Sequence, residues 1–123
     1  MKFTVLTLFP ELLQAFFNHG MMQRGIEKGL IQAESVQIRE HAANRHNTVD
    51  DRPYGGGSGM VMTPEPLSKA IDLVKDRNTA GRVILMSPQG ERFSQTIAQR
   101  LADQGQDLIL VCGRYEGIDE RVI

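Results

Sequence analysis

Two short, unbroken apolar runs do most to limit the folds open to this chain: Val83-Ile84-Leu85-Met86 and Leu108-Ile109-Leu110-Val111. A strand with one wet face alternates apolar and polar residues. A continuous run is expected of a parallel strand covered on both faces. Between the two runs, Ile97, Ala98 and Leu101 recur at helical spacing, with Ser94 placed to cap the helix and Gly105 to end it. Strand, helix and strand at this spacing make a βαβ unit. The fold class expected is α/β, a mostly parallel sheet flanked by helices. In such sheets ligands bind beyond the carboxyl ends of the strands. Two turns stand there: Ser87-Pro88-Gln89-Gly90, and Gly113-Arg114-Tyr115-Glu116-Gly117.

The remaining segments suit that plan. Lys2 to Leu8 reads as a strand. Pro10 opens a helix at its first turn, where a missing amide costs little, and Glu11 complements the helix dipole. Leu12, Leu13, Phe16 and Phe17 form its apolar face, and Gly20 is expected to end it. Met22, Ile26 and Leu30 suggest a second short helix, interrupted by Gly25 and Gly29. Glu34 to Arg39 alternates and reads as a half-exposed strand. Pro64, Glu65 and Pro66 open a further helix carrying Leu67, Ala70, Ile71 and Val74 on one face. Asp119 is placed to cap a helix whose body does not follow before Ile123, so the chain is expected to be a piece of something longer.

Composition excludes several classes. At 123 residues the chain fits one modest domain, and 41% hydrophobic residues argue against disorder. The longest purely apolar run, Leu108 to Cys112, is far too short to cross a bilayer. Met1 to Val5 lacks the pattern of a signal peptide. The single cysteine, Cys112, rules out an internal disulfide and suits a reducing cytoplasm. A net charge of −1 argues against coating nucleic acid by bulk charge, though not against a local basic patch.

One loop is chemically loaded. Arg45 to Met60 sets Arg45, His46, Asp50, Asp51 and Arg52 against Gly55, Gly56, Gly57 and Gly59. Neither helix nor strand favours that composition, and Pro53 pushes Arg52 towards an extended shape. The glycines could bring backbone amides close to an anion, or form a bare turn; spacing alone does not separate the two. Asp50 and Asp51 are neighbours, so in an extended segment they point to opposite faces and make a poor acid–base pair. His41 and His46 match no compact zinc spacing, and no metal is expected. His19 reads as a helix-end histidine. Cys112 reads as a small buried hydrophobe rather than a nucleophile. The Gly113 to Gly117 turn could cradle an adenosine-type ligand, with Tyr115 stacking and Glu116 facing a cationic centre. It could equally be a surface turn with a weak Arg114–Glu116 pair.

Longer motifs carry a resemblance. Leu8-Phe9-Pro10-Glu11, Asp50-Asp51-Arg52-Pro53-Tyr54-Gly55-Gly56-Gly57, Ser87-Pro88-Gln89-Gly90 and Leu110 to Arg121, in that order along the whole chain, resemble bacterial tRNA (guanine-N1)-methyltransferases. These belong to the knotted SPOUT methyltransferases. The resemblance implies a cytoplasmic homodimer that uses S-adenosyl-L-methionine to methylate N1 of the guanine 3′ of the anticodon in tRNA. It implies that Met86, Ser87, Pro88 and Gln89 form one wall of the cofactor pocket, that Gly113 contributes backbone contacts, and that Tyr115, Glu116 and Gly117 lie close by. Arg114 and Glu116 would support the chemistry. Arg45, His46, Asp50, Arg52, Gly55, Gly56, Gly57 and Gly59 would hold the tRNA or the partner subunit, apart from the cofactor turns. The family's general base, its arginine partner, the knot-forming segment and a helical tRNA-binding domain would all lie beyond Ile123. The isolated chain is therefore expected to be inactive, to bind the cofactor poorly and to self-associate. An alternative from another class is a non-catalytic module that binds RNA or a nucleotide through the arginine–glycine loop; a third is a structural fragment with no activity.

Overall fold

The apolar runs do form parallel strands. The computed structural model describes residues 1–41, 50–51, 61–62, 64–87, 89–112 and 117–118. Its main sheet is four-stranded and contains β1 (Lys2–Thr7), β2 (Gln32–Gln37), β5 (Arg82–Met86) and β6 (Leu108–Cys112) in the order β2-β1-β6-β5. Every pairing in it is parallel, with Phe3 opposite both Ala33 and Leu108, and Ile84 opposite Leu110.

Handedness distributes the helices. The chain passes from β1 through α1 (Pro10–Phe17) and α2 (Gly20–Glu27) to β2, and from β5 through α4 (Gln95–Gln104) to β6. Both crossovers step the same way across the sheet, so right-handed connections put them on one face. The helix α3 (Pro64–Arg77) serves the opposite step, from β2 to β5, and takes the other face. That face holds the core. Leu6, Ile109 and Val111 meet Leu67, Ala70 and Val74 of α3, with Leu8 and Ile38 closing the end. All eight are at most 4% exposed. Burying a Leu, Ile or Val side chain in this way contributes roughly 1.5–3 kcal/mol.

The opposite face is less complete. Val5 there is buried, but Met86 of β5 is exposed; Val83, on the core face, is exposed as well. A groove of about 880 Å³ separates the sheet from α4, lined by Phe3, Ile84, Leu108 and Leu110 below and Ile97 and Leu101 above. The expectation that both apolar strands are covered on both faces is thus corrected for β5. It is an edge strand of this sheet, and α4 stands off from it.

Side chains bolt the sheet at both ends. At the amino ends, Asp107 accepts from the Lys2 amide at 2.8 Å and from Asn78 Nδ2 at 2.7 Å, while its carbonyl accepts from the Arg82 amide at 2.8 Å. At the carboxyl ends, Gln37 Nε2 donates to the Leu8 carbonyl at 3.0 Å, and Gln37 Oε1 accepts from the Arg39 amide at 3.1 Å.

Two boundaries differ from the sequence reading. Gly20 does not end the first helix: α1 stops at Phe17, and Gly20, at φ +61°, begins α2. The left-handed residue makes the corner that lets one helix follow another. Gly25 sits inside α2 without breaking it. The alternating strand ends at Gln37, because Ile38–His41 curls into a 3-10 turn that buries Ile38. The cap of α4 is as read: Ser94 Oγ accepts from the Ile97 amide at 3.3 Å, and Gly105 closes the helix at φ +64°.

Candidate functional site

The carboxyl ends of β5 and β6 lie side by side. Met86 and Cys112 are the last registered pair. The two turns singled out in the sequence therefore start from adjacent strands, which run roughly 4.8 Å apart. The first turn is set by its own hydroxyl: Ser87 Oγ accepts from the Gln89 amide at 3.1 Å. This fixes the chain sharply where it leaves β5. Met86 is 49% exposed beside it. Ser87, Gln89 and Gly90 are also exposed, and Met86, Ser87 and Gly90 border the near end of the groove under α4.

Cys112 is half-buried at the end of β6, and burial pushes its thiol above the usual range. A neutral thiol is a poor nucleophile. This agrees with its reading as a small hydrophobe. His19 occupies the residue before α2 with extended backbone and makes no side-chain cap bond.

Of the residues implied by resemblance, Met86, Ser87 and Gln89 are brought together. Pro88, Gly113, Arg114, Tyr115 and Glu116 lie outside the described residues. So do Arg45, His46, Arg52, Gly55, Gly56, Gly57 and Gly59; the helix cap read at Asp119 does too. Asp50 and Gly117 are placed by backbone.

That backbone placement holds something the sequence did not announce. Asp50–Asp51 forms β3, Val61–Met62 forms β4 and Gly117–Ile118 forms β7, making a second, three-stranded sheet in the order β3-β4-β7. β3 runs antiparallel to β4, with Asp51 opposite Val61. β4 runs parallel to β7, with Val61 opposite Gly117. The sequence reading kept the glycine loop apart from the cofactor turns, but the structure pairs a flank of that loop, Val61–Met62, with Gly117–Ile118 at the end of the Gly113 turn. Two-residue strands are too short to show a period, so no local signal could have found them. Asp50 and Asp51, read as part of a loop, instead form a short strand, the extended backbone in which neighbouring side chains point to opposite faces.

Comparison with known proteins decides the family. The family model described as tRNA (guanine-1)-methyltransferase TrmD matches residues 1–123. The chain belongs to the TrmD family. A tRNA (guanine-N(1)-)-methyltransferase of Desulfatibacillum aliphaticivorans is 55% identical over 122 residues, covering 99% of this chain and 46% of that protein. One from Desulforamulus reducens is 52% identical, covering 99% of this chain and 48% of its own. The crystal structure of the tRNA (m1G37) methyltransferase of Aquifex aeolicus superposes with a TM-score of 0.89 at 37% identity, over 99% of this chain and 55% of that one. The α/β fold expected from the apolar runs is thus a TrmD-family fold. The chain spans about half the length of the curated relatives it matches. The TrmD family is named for a transferase, which favours the enzyme reading over a non-catalytic binding module.

Proposed function

We propose that this chain is the N-terminal portion of a cytoplasmic, homodimeric tRNA methyltransferase of the SPOUT type. It transfers a methyl group from S-adenosylmethionine to N1 of the guanine 3′ of the anticodon. The observation that carries this reading is the meeting of the Ser87 turn and the chain leaving Cys112 at adjacent strand ends, in a chain that matches the TrmD family along its whole length.

The residues present suit the cofactor. S-adenosylmethionine is an adenosine joined to a short cationic chain, so its site needs backbone groups for the purine edge and apolar cover. The Ser87 turn supplies exposed backbone whose shape is already set by the Ser87–Gln89 bond. Met86 and the near end of the groove supply apolar surface. Gly113 follows Cys112 in the chain, and its backbone would face the same ligand; Pro88, Tyr115 and Gly117 would complete that wall. When bound, S-adenosylmethionine supplies a methyl group on a sulfonium, open to a single in-line displacement.

The chain's own part is positioning, which can supply much of such a rate enhancement. Glu116 would face the positive charge of the donor, and Arg114 would support the reacting end. Arg45, His46, Asp50, Arg52 and the glycines at 55, 56, 57 and 59 would hold tRNA or the partner subunit.

The test uses the protein at its relatives' full length, a tRNA transcript with guanine 3′ of the anticodon, and methyl-labelled S-adenosylmethionine. Mass analysis of the digested tRNA should find one N1-methylguanosine. The product should vanish when that guanosine is replaced by adenosine. Label at another position, or none, overturns the reading.

A further inference from the structure

The Ser87 turn is shaped from within. Met86 and Cys112 are the last registered pair of β5 and β6, so the register of the sheet stops before Ser87. Ser87, Gln89 and Gly90 are all exposed, so packing does not fix them either. Gly90 imposes nothing: its φ is not left-handed, and within 4 Å a Cβ there would meet only the Ser87 carbonyl oxygen, at 3.9 Å. What remains is the bond from the Gln89 amide to Ser87 Oγ, 3.1 Å long. Among the described residues it is the one side-chain bond made within residues 87–90.

The sequence explains why that bond forms. A serine hydroxyl readily accepts from the amide two residues on. Pro88, standing between them, has no amide to offer and favours an extended Ser87. The Gln89 amide is therefore the first backbone donor after Ser87, and the hydroxyl takes it. A loop already held in its binding shape loses less freedom when a ligand arrives, and so binds it more tightly.

We propose that Ser87 is a positioning residue for the methyl donor: its hydroxyl holds the Gln89 amide, so that the turn meets the donor already shaped. It acts through that amide and not as a contact of the donor. This rests on the functional reading above, in which the turn serves the donor.

Threonine and valine have nearly the same shape, but only threonine carries the hydroxyl. Ser87→Thr and Ser87→Val therefore separate the bond from bulk, and Ser87→Ala adds no branch at all. The protein is used at its relatives' full length. Calorimetry with S-adenosylhomocysteine, which has no methyl group to transfer, should give a Kd raised about 5-fold in Ser87→Val and Ser87→Ala, the factor one neutral hydrogen bond is typically worth. Ser87→Thr should stay within about 2-fold of the unmodified protein, since threonine makes the same turn. Without ligand, hydrogen exchange of the Gln89 amide, followed by NMR, should quicken in Ser87→Val and Ser87→Ala but not in Ser87→Thr. KM for S-adenosylmethionine should rise in the same two variants with kcat little changed, and the Kd for tRNA alone should not move.

Equal binding by Ser87→Thr and Ser87→Val overturns the proposal. So does weakened binding with Gln89 exchange unchanged, which would make the hydroxyl a contact of the donor. A loss of tRNA affinity as large as that for S-adenosylhomocysteine also overturns it, as general damage to the fold. Failure of the unmodified protein to bind S-adenosylhomocysteine would instead overturn the functional reading.

Discussion

Asp107 shows how one residue can hold three segments. Its carboxylate oxygens accept from Lys2 and Asn78, and its carbonyl accepts from Arg82. The Lys2 amide bond chiefly, then the Asn78 bond, hold its carboxyl below the ordinary aspartate value of 3.8; the amino terminus and Lys2 charges act the same way. A carboxyl whose pKa is depressed on folding stabilises the fold above its unfolded value, and that contribution fades as pH falls through the folded value. Denaturant midpoints should therefore drop as pH is lowered below about 3.8, more steeply than in Asp107→Asn, and Asp107→Asn should be the less stable at pH 7. Parallel pH dependence in the two proteins would remove Asp107 from the account. Gly105 is a simpler case. Its φ of +64° is the only constraint there, since a Cβ would meet nothing within 4 Å. Gly105→Ala should cost about 1 kcal/mol in a urea titration, the strain of an L residue in that region. The aspartate could not be found in the sequence, because its partners lie far away in the chain. The glycine could, because capping is local.

At the scale of elements, α3 contributes most to the core. Leu67 is fully buried against the sheet, and Leu67→Ala should cost about 2–5 kcal/mol through lost burial and a residual cavity. The check is chemical denaturation; a loss below about 1 kcal/mol would mean that the site collapses around the smaller residue. The apolar face of α3 was legible at Leu67, Ala70, Ile71 and Val74, because helical periodicity is a local property. So were Pro10, Pro64 and the Ser94 cap. Gly20 was misread. A glycine after an apolar run signals a left-handed residue, but not whether the chain then leaves helical structure or turns into a second helix. The end of the second strand was misread for a related reason. Ile38 continues the alternation in sequence, yet burial beneath α3 bends it into a 3-10 turn. The Ser87 turn was visible from its residues, while its place beside the end of β6 was not.

The whole molecule carries apolar surface that its own helices leave open. Phe93 is 67% exposed, and Leu12 and Phe16 are exposed together on α1. The groove under α4 adds Ile84 and Leu110. Exposed apolar surface of this kind seeks cover. The purified 123-residue chain should therefore self-associate at micromolar concentration and enhance the fluorescence of an apolar dye, and Phe93→Ser with Phe16→Ser should reduce both effects. A clean monomer in light scattering, with no dye response, would contradict this.

What the sequence determined by itself was the strands of the main sheet, the helices around it and the parallel class of that sheet. Helical spacing, caps and unbroken apolar runs are all written within a few neighbouring residues, and the α/β reading needed nothing more. The family could also be read there, from motifs long enough to be specific. Only the tertiary structure decided which strands are neighbours, which face of β5 stays open, and that Val61 pairs with Gly117. Those outcomes depend on hydrogen bonds and burial between segments distant in the chain, and a two-residue strand carries no pattern that could announce its partner.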